Sequence, residues 1–188
     1  LRSGRLLWSL GQMLYILAAS LVFWAWVIVC CFIVLNKYIS WDFQWGKVYY
    51  SLLYYESYGL NVTRSIQECY SVIGAFGLSL GLNIALSVFL AQLTYLVNLL
   101  TSKMYGALIS AALILIHWSY FMWGYAPWSL KASPVTLASL DWIEASGIKG
   151  DYPSVAYSVL FFVIGVIVLT VLCVLAIRRR AINVQQPV

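Results

Sequence analysis

The chain has 188 residues, 63% of them hydrophobic and only 9% charged, whereas a soluble domain carries about 25% charged residues. With a mean hydropathy of +0.89, this composition excludes a water-soluble globular protein, a disordered chain and a nucleic-acid binder, and makes lipid the solvent for most of the sequence. The net charge of +5 is spread thinly along the chain and reads as a membrane-orientation signal rather than a patch for an anionic partner.

The chain opens on a short basic turn, Leu1-Arg2-Ser3-Gly4-Arg5, that runs directly into apolar sequence. A signal peptide would have an apolar core of about 7–15 residues followed by a small-residue cleavage site. Neither fits, so the first apolar run is expected to be a true span and the sequence a fragment of a longer protein. Crossing the hydrocarbon takes about 20 apolar residues in a helix. Four charge-free stretches reach that length, at about 13–35, 72–100, 104–126 and 154–177. They lack the alternating period of barrel strands. The expected fold is therefore all-α, one polytopic transmembrane bundle of four spans over residues 1–188.

Between the first two spans, residues 41–58 mix Trp41, Trp45, Tyr49, Tyr50, Tyr54, Tyr55 and Tyr58 with scattered charges. Aromatic rings settle at the headgroup level, so an interfacial helix is expected there. Asn61-Val62-Thr63 matches a glycosylation sequon, a pattern short enough to arise by chance. Between the last two spans, Pro127, Pro134, Gly147, Gly150 and Pro153 punctuate the sequence, and Val135 to Ser146 is expected to form one short helix.

Placing both ends in the cytoplasm puts Arg2, Arg5, Lys103, Arg178, Arg179 and Arg180 inside, next to span ends. It puts every acidic residue outside, together with the more dilute Lys37, Lys47, Arg64, Lys131 and Lys149.

Gly77-Leu78-Ser79-Leu80-Gly81 matches the G-x-S-x-G pattern of serine hydrolases, and the sole histidine, His117, lies in the next span. At a rise of ~1.5 Å per residue, Ser79 sits ~10 Å and His117 ~14 Å from the outer ends of their spans, so depth permits contact. A nucleophile elbow, however, needs a strand-to-helix turn and a third group to orient the histidine. The same residues form a small-residue stripe in which Gly74, Gly77, Gly81, Ala85 and Gln92 share one helix face, the arrangement that lets helices approach closely. Helix packing is the expected role of Gly74, Gly77, Gly81 and Ala85, and an intramembrane hydrolase using Ser79 and His117 is the alternative.

Asn83, Gln92, Asn98 and His117 also lie within the spans, which contain no Asp, Glu, Lys or Arg. The usual mark of an ion-coupled carrier is therefore missing, and these groups read as interhelical hydrogen-bond partners. Gly46-Lys47 fails as a phosphate-binding loop, since no glycine stands five residues before Gly46 and Val48 replaces the Ser or Thr. Cys30, Cys31, Cys69 and Cys173 show no CxxC spacing, so neither a metal site nor a disulfide framework is expected. No cofactor and no catalytic residue is assigned.

Several short segments point the same way. Arg2-Ser3-Gly4-Arg5 with Trp8 and Gly11-Gln12, Trp45-Gly46-Lys47-Val48, Ser133-Pro134-Val135 with Leu140-Asp141, and Arg178-Arg179-Arg180-Ala181-Ile182 resemble segments of the membrane subunit of type-2 ATP-binding-cassette (ABC) transporters. The outer segment at 37–71 is longer than is usual in that family. The resemblance implies the last four spans of a six-span permease in the cell membrane, an exporter paired with a separate ATPase and dimeric in its permease subunits. It further implies that Arg2, Arg5 and Trp8 lie by the ATPase-coupling region and that ATP hydrolysis belongs to the partner. A purely structural membrane subunit is a further alternative.

Overall fold

The structure, a computed structural model, describes residues 2–37, 44–45, 64–101, 103–123, 127–144 and 152–179. Among them the chain is helical, with an isolated parallel bridge between Glu144 and Ser154. The helices are α1 (Arg2–Leu35), α2 (Arg64–Cys69), α3 (Val72–Thr101), α4 (Tyr105–Trp123), α5 (Pro127–Ala132), α6 (Pro134–Ala138) and α7 (Val155–Arg179), with a 3-10 turn at Leu140–Trp142.

Three of these helices are long and apolar enough to cross a membrane: Leu7–Leu35 within α1, α3, and Val155–Arg178 within α7. The chain is thus a membrane protein by the length and composition of its helices. In α4 the apolar stretch Tyr105–Trp118 is shorter than those three. The expected ends of the second span hold to within one residue. The first span differs, because the polar start expected as a turn is helical and continuous with it, giving a single helix of 34 residues. No proline interrupts residues 2–35, and Leu6, Leu7 and Leu10 propagate a helix without strain.

α3 is the central helix, packed against α1, α4, α6 and α7, most extensively against α7. Its start is capped by Ser71, whose Oγ accepts the Gly74 N–H at 3.2 Å. α3 and α4 form a tight antiparallel hairpin. Asn98 Oδ1 accepts the Gly106 N–H at 2.8 Å, satisfying a donor in the first turn of α4, and Thr94 Oγ1 lies 2.7 Å from Ser110 Oγ. A Cβ on Gly106 would stand 2.8 Å from the Thr94 carbonyl carbon, so only glycine permits this crossing. α7 is capped by Ser154, whose Oγ accepts the Tyr157 N–H at 3.2 Å.

The single helix expected over Val135 to Ser146 is instead two pieces. α6 starts on Pro134 and ends at Ser139, which is extended (φ −99°, ψ 123°), and the 3-10 turn follows. The break turns Leu137, Leu140 and Ile143 all inward, onto a core shared with Ile66, Ala75 and Phe162. Thr136, Leu137 and Ile143 are fully buried. The 127–144 segment is therefore a docked cap on one end of the bundle. A second apolar cluster, Met13, Leu96, Leu169 and Cys173, joins α1, α3 and α7 toward the opposite end. Apart from Gln44 and Trp45, the expected interfacial helix at 41–58 lies outside the described residues, as do the sequon and the last basic residues from Arg180 onward.

Candidate functional site

Beneath the α6 cap lies a cavity of about 490 Å³ between α3 and α4, walled by Phe76, Ser79, Asn83, His117, Ser139 and the Trp45 ring. Each wall is held by a specific bond. His117 is tied to the cap, with its Nδ1 3.1 Å from Thr136 Oγ1. Trp45 donates its indole N–H to the Tyr70 carbonyl at 3.1 Å, which holds the ring in the wall. Asn83 donates one side-chain N–H to the Ser79 carbonyl at 2.8 Å. That leaves the Asn83 side-chain oxygen, the Ser79 and Ser139 hydroxyls and His117 Nε2 with no hydrogen bond among the described residues. A few convergent polar groups in a mainly apolar wall are the usual composition of a small-molecule site.

On the other side of Phe76, Ser79 and Asn83 lies a second cavity, about 300 Å³, between α3 and α1. Trp24, Ile28, Cys31, Phe32 and Leu80 line it, so its wall is almost wholly apolar. Trp24 closes its inner end by donating its indole N–H to Ser87 Oγ at 2.9 Å, and Ser87 donates in turn to the Asn83 carbonyl at 2.9 Å. Asn83 therefore touches both chambers and is linked through Ser87 to α1.

The structure brings Ser79 and His117 to one cavity, as their depths in the sequence allowed. It does not pair them: among the described residues no hydrogen bond joins them, and His117 Nδ1 is held by Thr136. Ser79 sits within continuous α3, with no strand-to-helix turn to expose its oxygen.

The residues expected to serve helix packing separate into distinct roles. Gly74 belongs to the Ser71 cap, and its nearest neighbours are Ser71 and Tyr70. Ala85 packs against the core under the cap. Gly77 and Gly81 meet nothing within 4 Å where a Cβ would stand. Both line a cleft of about 570 Å³ reaching Leu17 of α1 and Val163 of α7. Within this chain the close helix contacts are made by other glycines: Gly106 against Thr94, and Gly165, where a Cβ would lie 2.8 Å from the Phe89 ring. Sequence reasoning missed both, since each is a lone glycine in an apolar run.

Gln92 is buried between α3 and α7, donating to Thr170 Oγ1 at 3.3 Å, while its side-chain oxygen has no partner among the described residues. Of the residues assigned to ATPase coupling, Trp8 is half-exposed and its ring lies tilted against that of Tyr95 of α3, centroids 6.3 Å apart. Arg2 and Arg5 lie on the first turns of α1, and their side chains are outside the described residues. Among the described residues no cluster of His, Cys, Asp or Glu is placed to hold a metal ion. Comparison of the chain with protein-family models, with curated proteins and with solved structures finds no match.

Proposed function

We propose that this chain is the membrane-spanning permease subunit of an ATP-driven ABC exporter, working in the cell membrane with a separate ATPase and a second permease subunit. α1, α3, α4 and α7 are its four spans, with both ends of the chain in the cytoplasm. ATP hydrolysis resides on the partner, and the chain itself performs no chemistry.

The observation that carries this reading is the continuity of α1. Its first turns hold Arg2, Arg5 and Trp8, and its far end holds Trp24, Cys31 and Phe32 in the wall of the apolar chamber. A helix of 34 residues is about 50 Å long at ~1.5 Å per residue, so a push at one end is delivered as rigid-body motion at the other. α1 is also the least buried of the long helices. Its described polar tie to α3 is the Trp24–Ser87 bond near the chamber. A stiff, mostly exposed helix lying along the closely packed α3/α7 pair is compatible with alternating access by rigid-body rocking. The sequence segments that resemble type-2 ABC permeases support the same reading.

The test is to replace Arg2, Arg5 and Trp8 together by Ala in the full-length protein. The variant should insert normally but lose ATPase co-purification or uncouple hydrolysis from transport. Unchanged association and transport would contradict the coupling role.

A second reading, an intramembrane hydrolase, is favoured by one observation, the shared cavity of Ser79 and His117. Labelling of Ser79 by a serine-directed fluorophosphonate, abolished in His117→Ala, would support it; absence of labelling would leave the permease reading alone.

A further inference from the structure

The two chambers differ in chemistry but share a wall. Phe76, Ser79 and Asn83 line both. On the α4 side the wall presents uncommitted hydrogen-bonding groups from Ser79, Asn83, Ser139 and His117. On the α1 side it is apolar from Ile28 to Phe32 and ends on the anchored Trp24 ring. Among the described residues no Asp, Glu, Lys or Arg lines either chamber. A charged headgroup would find no counter-ion among them, and desolvating it in the polar chamber would oppose binding. A neutral head bearing hydroxyl or amide groups would instead meet both donors and acceptors, since Asn83 offers both and serine hydroxyls turn to suit. A single apolar chain fits the narrower chamber, where contact with Ile28, Cys31 and Phe32 removes it from competing polar groups.

We propose that the paired chambers form one binding site for an uncharged single-chain amphiphile, its hydroxyl- or amide-bearing head between Asn83, His117 and Ser139 and its tail between α1 and α3. This deepens the permease reading and rests on it, the amphiphile being the cargo whose release follows the motion of α1. Asn83 is the specificity residue, because its side chain stands at the junction of the two chambers.

The experiment uses the full-length protein in phosphatidylcholine nanodiscs with radiolabelled monododecanoylglycerol as probe. Unlabelled dodecyl phosphate, dodecyltrimethylammonium and dodecane compete as anionic, cationic and headless analogues. Saturable binding is expected, with each analogue competing at least about tenfold less well than unlabelled glyceride, the scale of one or two lost hydrogen bonds. Asn83→Leu should abolish the preference for the neutral head, and Cys31→Trp, at an exposed position on α1, should weaken all binding by filling the tail chamber. The competition series needs only the wild-type chain, so a misfolded variant does not decide the matter. Non-saturable binding, equal competition by the charged or headless analogues, or unchanged binding in Cys31→Trp would overturn the proposal. Glyceride binding by a protein that neither associates with an ATPase nor transports with ATP would remove the permease reading and leave the site. ATP-driven transport without glyceride binding would remove this inference alone.

Discussion

His117 Nδ1 and Thr136 Oγ1 lie 3.1 Å apart, and this contact joins the middle of α4 to the buried cap helix α6. Thr136 is fully buried, so losing its partner strands a hydroxyl in an apolar core. Thr136→Val and His117→Phe should each destabilise the protein by ~1–3 kcal/mol, the cost of leaving one polar group unpaired. The double substitution should cost less than the sum, because both polar groups then go together. Thermal unfolding in detergent measures this, and strict additivity would show that the two side chains do not interact.

Gly106 and Gly81 give opposite expectations. Gly106→Ala drives a Cβ into the Thr94 carbonyl group and should cost ~1–3 kcal/mol, as overpacking does. Gly81→Ala adds a methyl to open space and should leave the stability of the isolated chain unchanged. Gly165→Ala should fall between, since the Phe89 ring can turn away. Comparing the monodisperse fraction of each variant on heating checks the order. If Gly81→Leu, by contrast, disturbs assembly with another subunit, the Gly77/Gly81 stripe packs between chains.

At Gln92 the hydrogen bond to Thr170, of the kind that contributes ~0.6 kcal/mol within membranes, stands against a buried oxygen with no partner among the described residues. Gln92→Met keeps the volume and removes both. Its stability should equal or exceed that of the parent. A marked loss of thermal stability would mean that the amide oxygen is satisfied in the membrane.

The crossing of α4 is open to direct test. Lys103 and Lys131 are both exposed, at opposite ends of the α4–α5 stretch. In a background lacking native cysteine, Lys131→Cys should react with a membrane-impermeant maleimide on intact cells, and Lys103→Cys only after permeabilisation. Reaction of both from one side would make α4 re-entrant rather than spanning.

The long helices were legible in the sequence because uninterrupted apolar runs fix their length, and α3 matches its expected bounds to a residue. The cap was not. Leu130, Leu137, Leu140 and Ile143 are core residues, but Pro134 and Ser139 break the period, so no single helical face joins them in the sequence. Which small residues touch a neighbour was equally hidden. The spans are apolar around most of their circumference, and periodicity cannot tell a glycine that lines an open cleft, such as Gly81, from one at a crossing such as Gly106. For the site, Ser79 and His117 were legible as polar residues at compatible depth. The Thr136 partner and the chamber beyond Asn83 depend on how α1 and α6 dock, which no local pattern encodes.

On the permease reading, ATP on a partner moves α1 against α3, whose Phe76, Ser79 and Asn83 wall both chambers, and access to the chamber under the cap is expected to change with it. Ser139, half-buried in its wall, reports this with least disturbance. The decisive measurement is the reaction rate of Ser139→Cys, in a cysteine-free full-length protein in native membranes, with a small impermeant thiol reagent. It is compared without nucleotide and with vanadate-trapped ATP. Coupling of about 1–3 kcal/mol between nucleotide and conformation predicts a rate change of roughly 5-fold or more, abolished when Arg2, Arg5 and Trp8 are replaced by Ala. Equal rates in both states would contradict an ATP-driven permease.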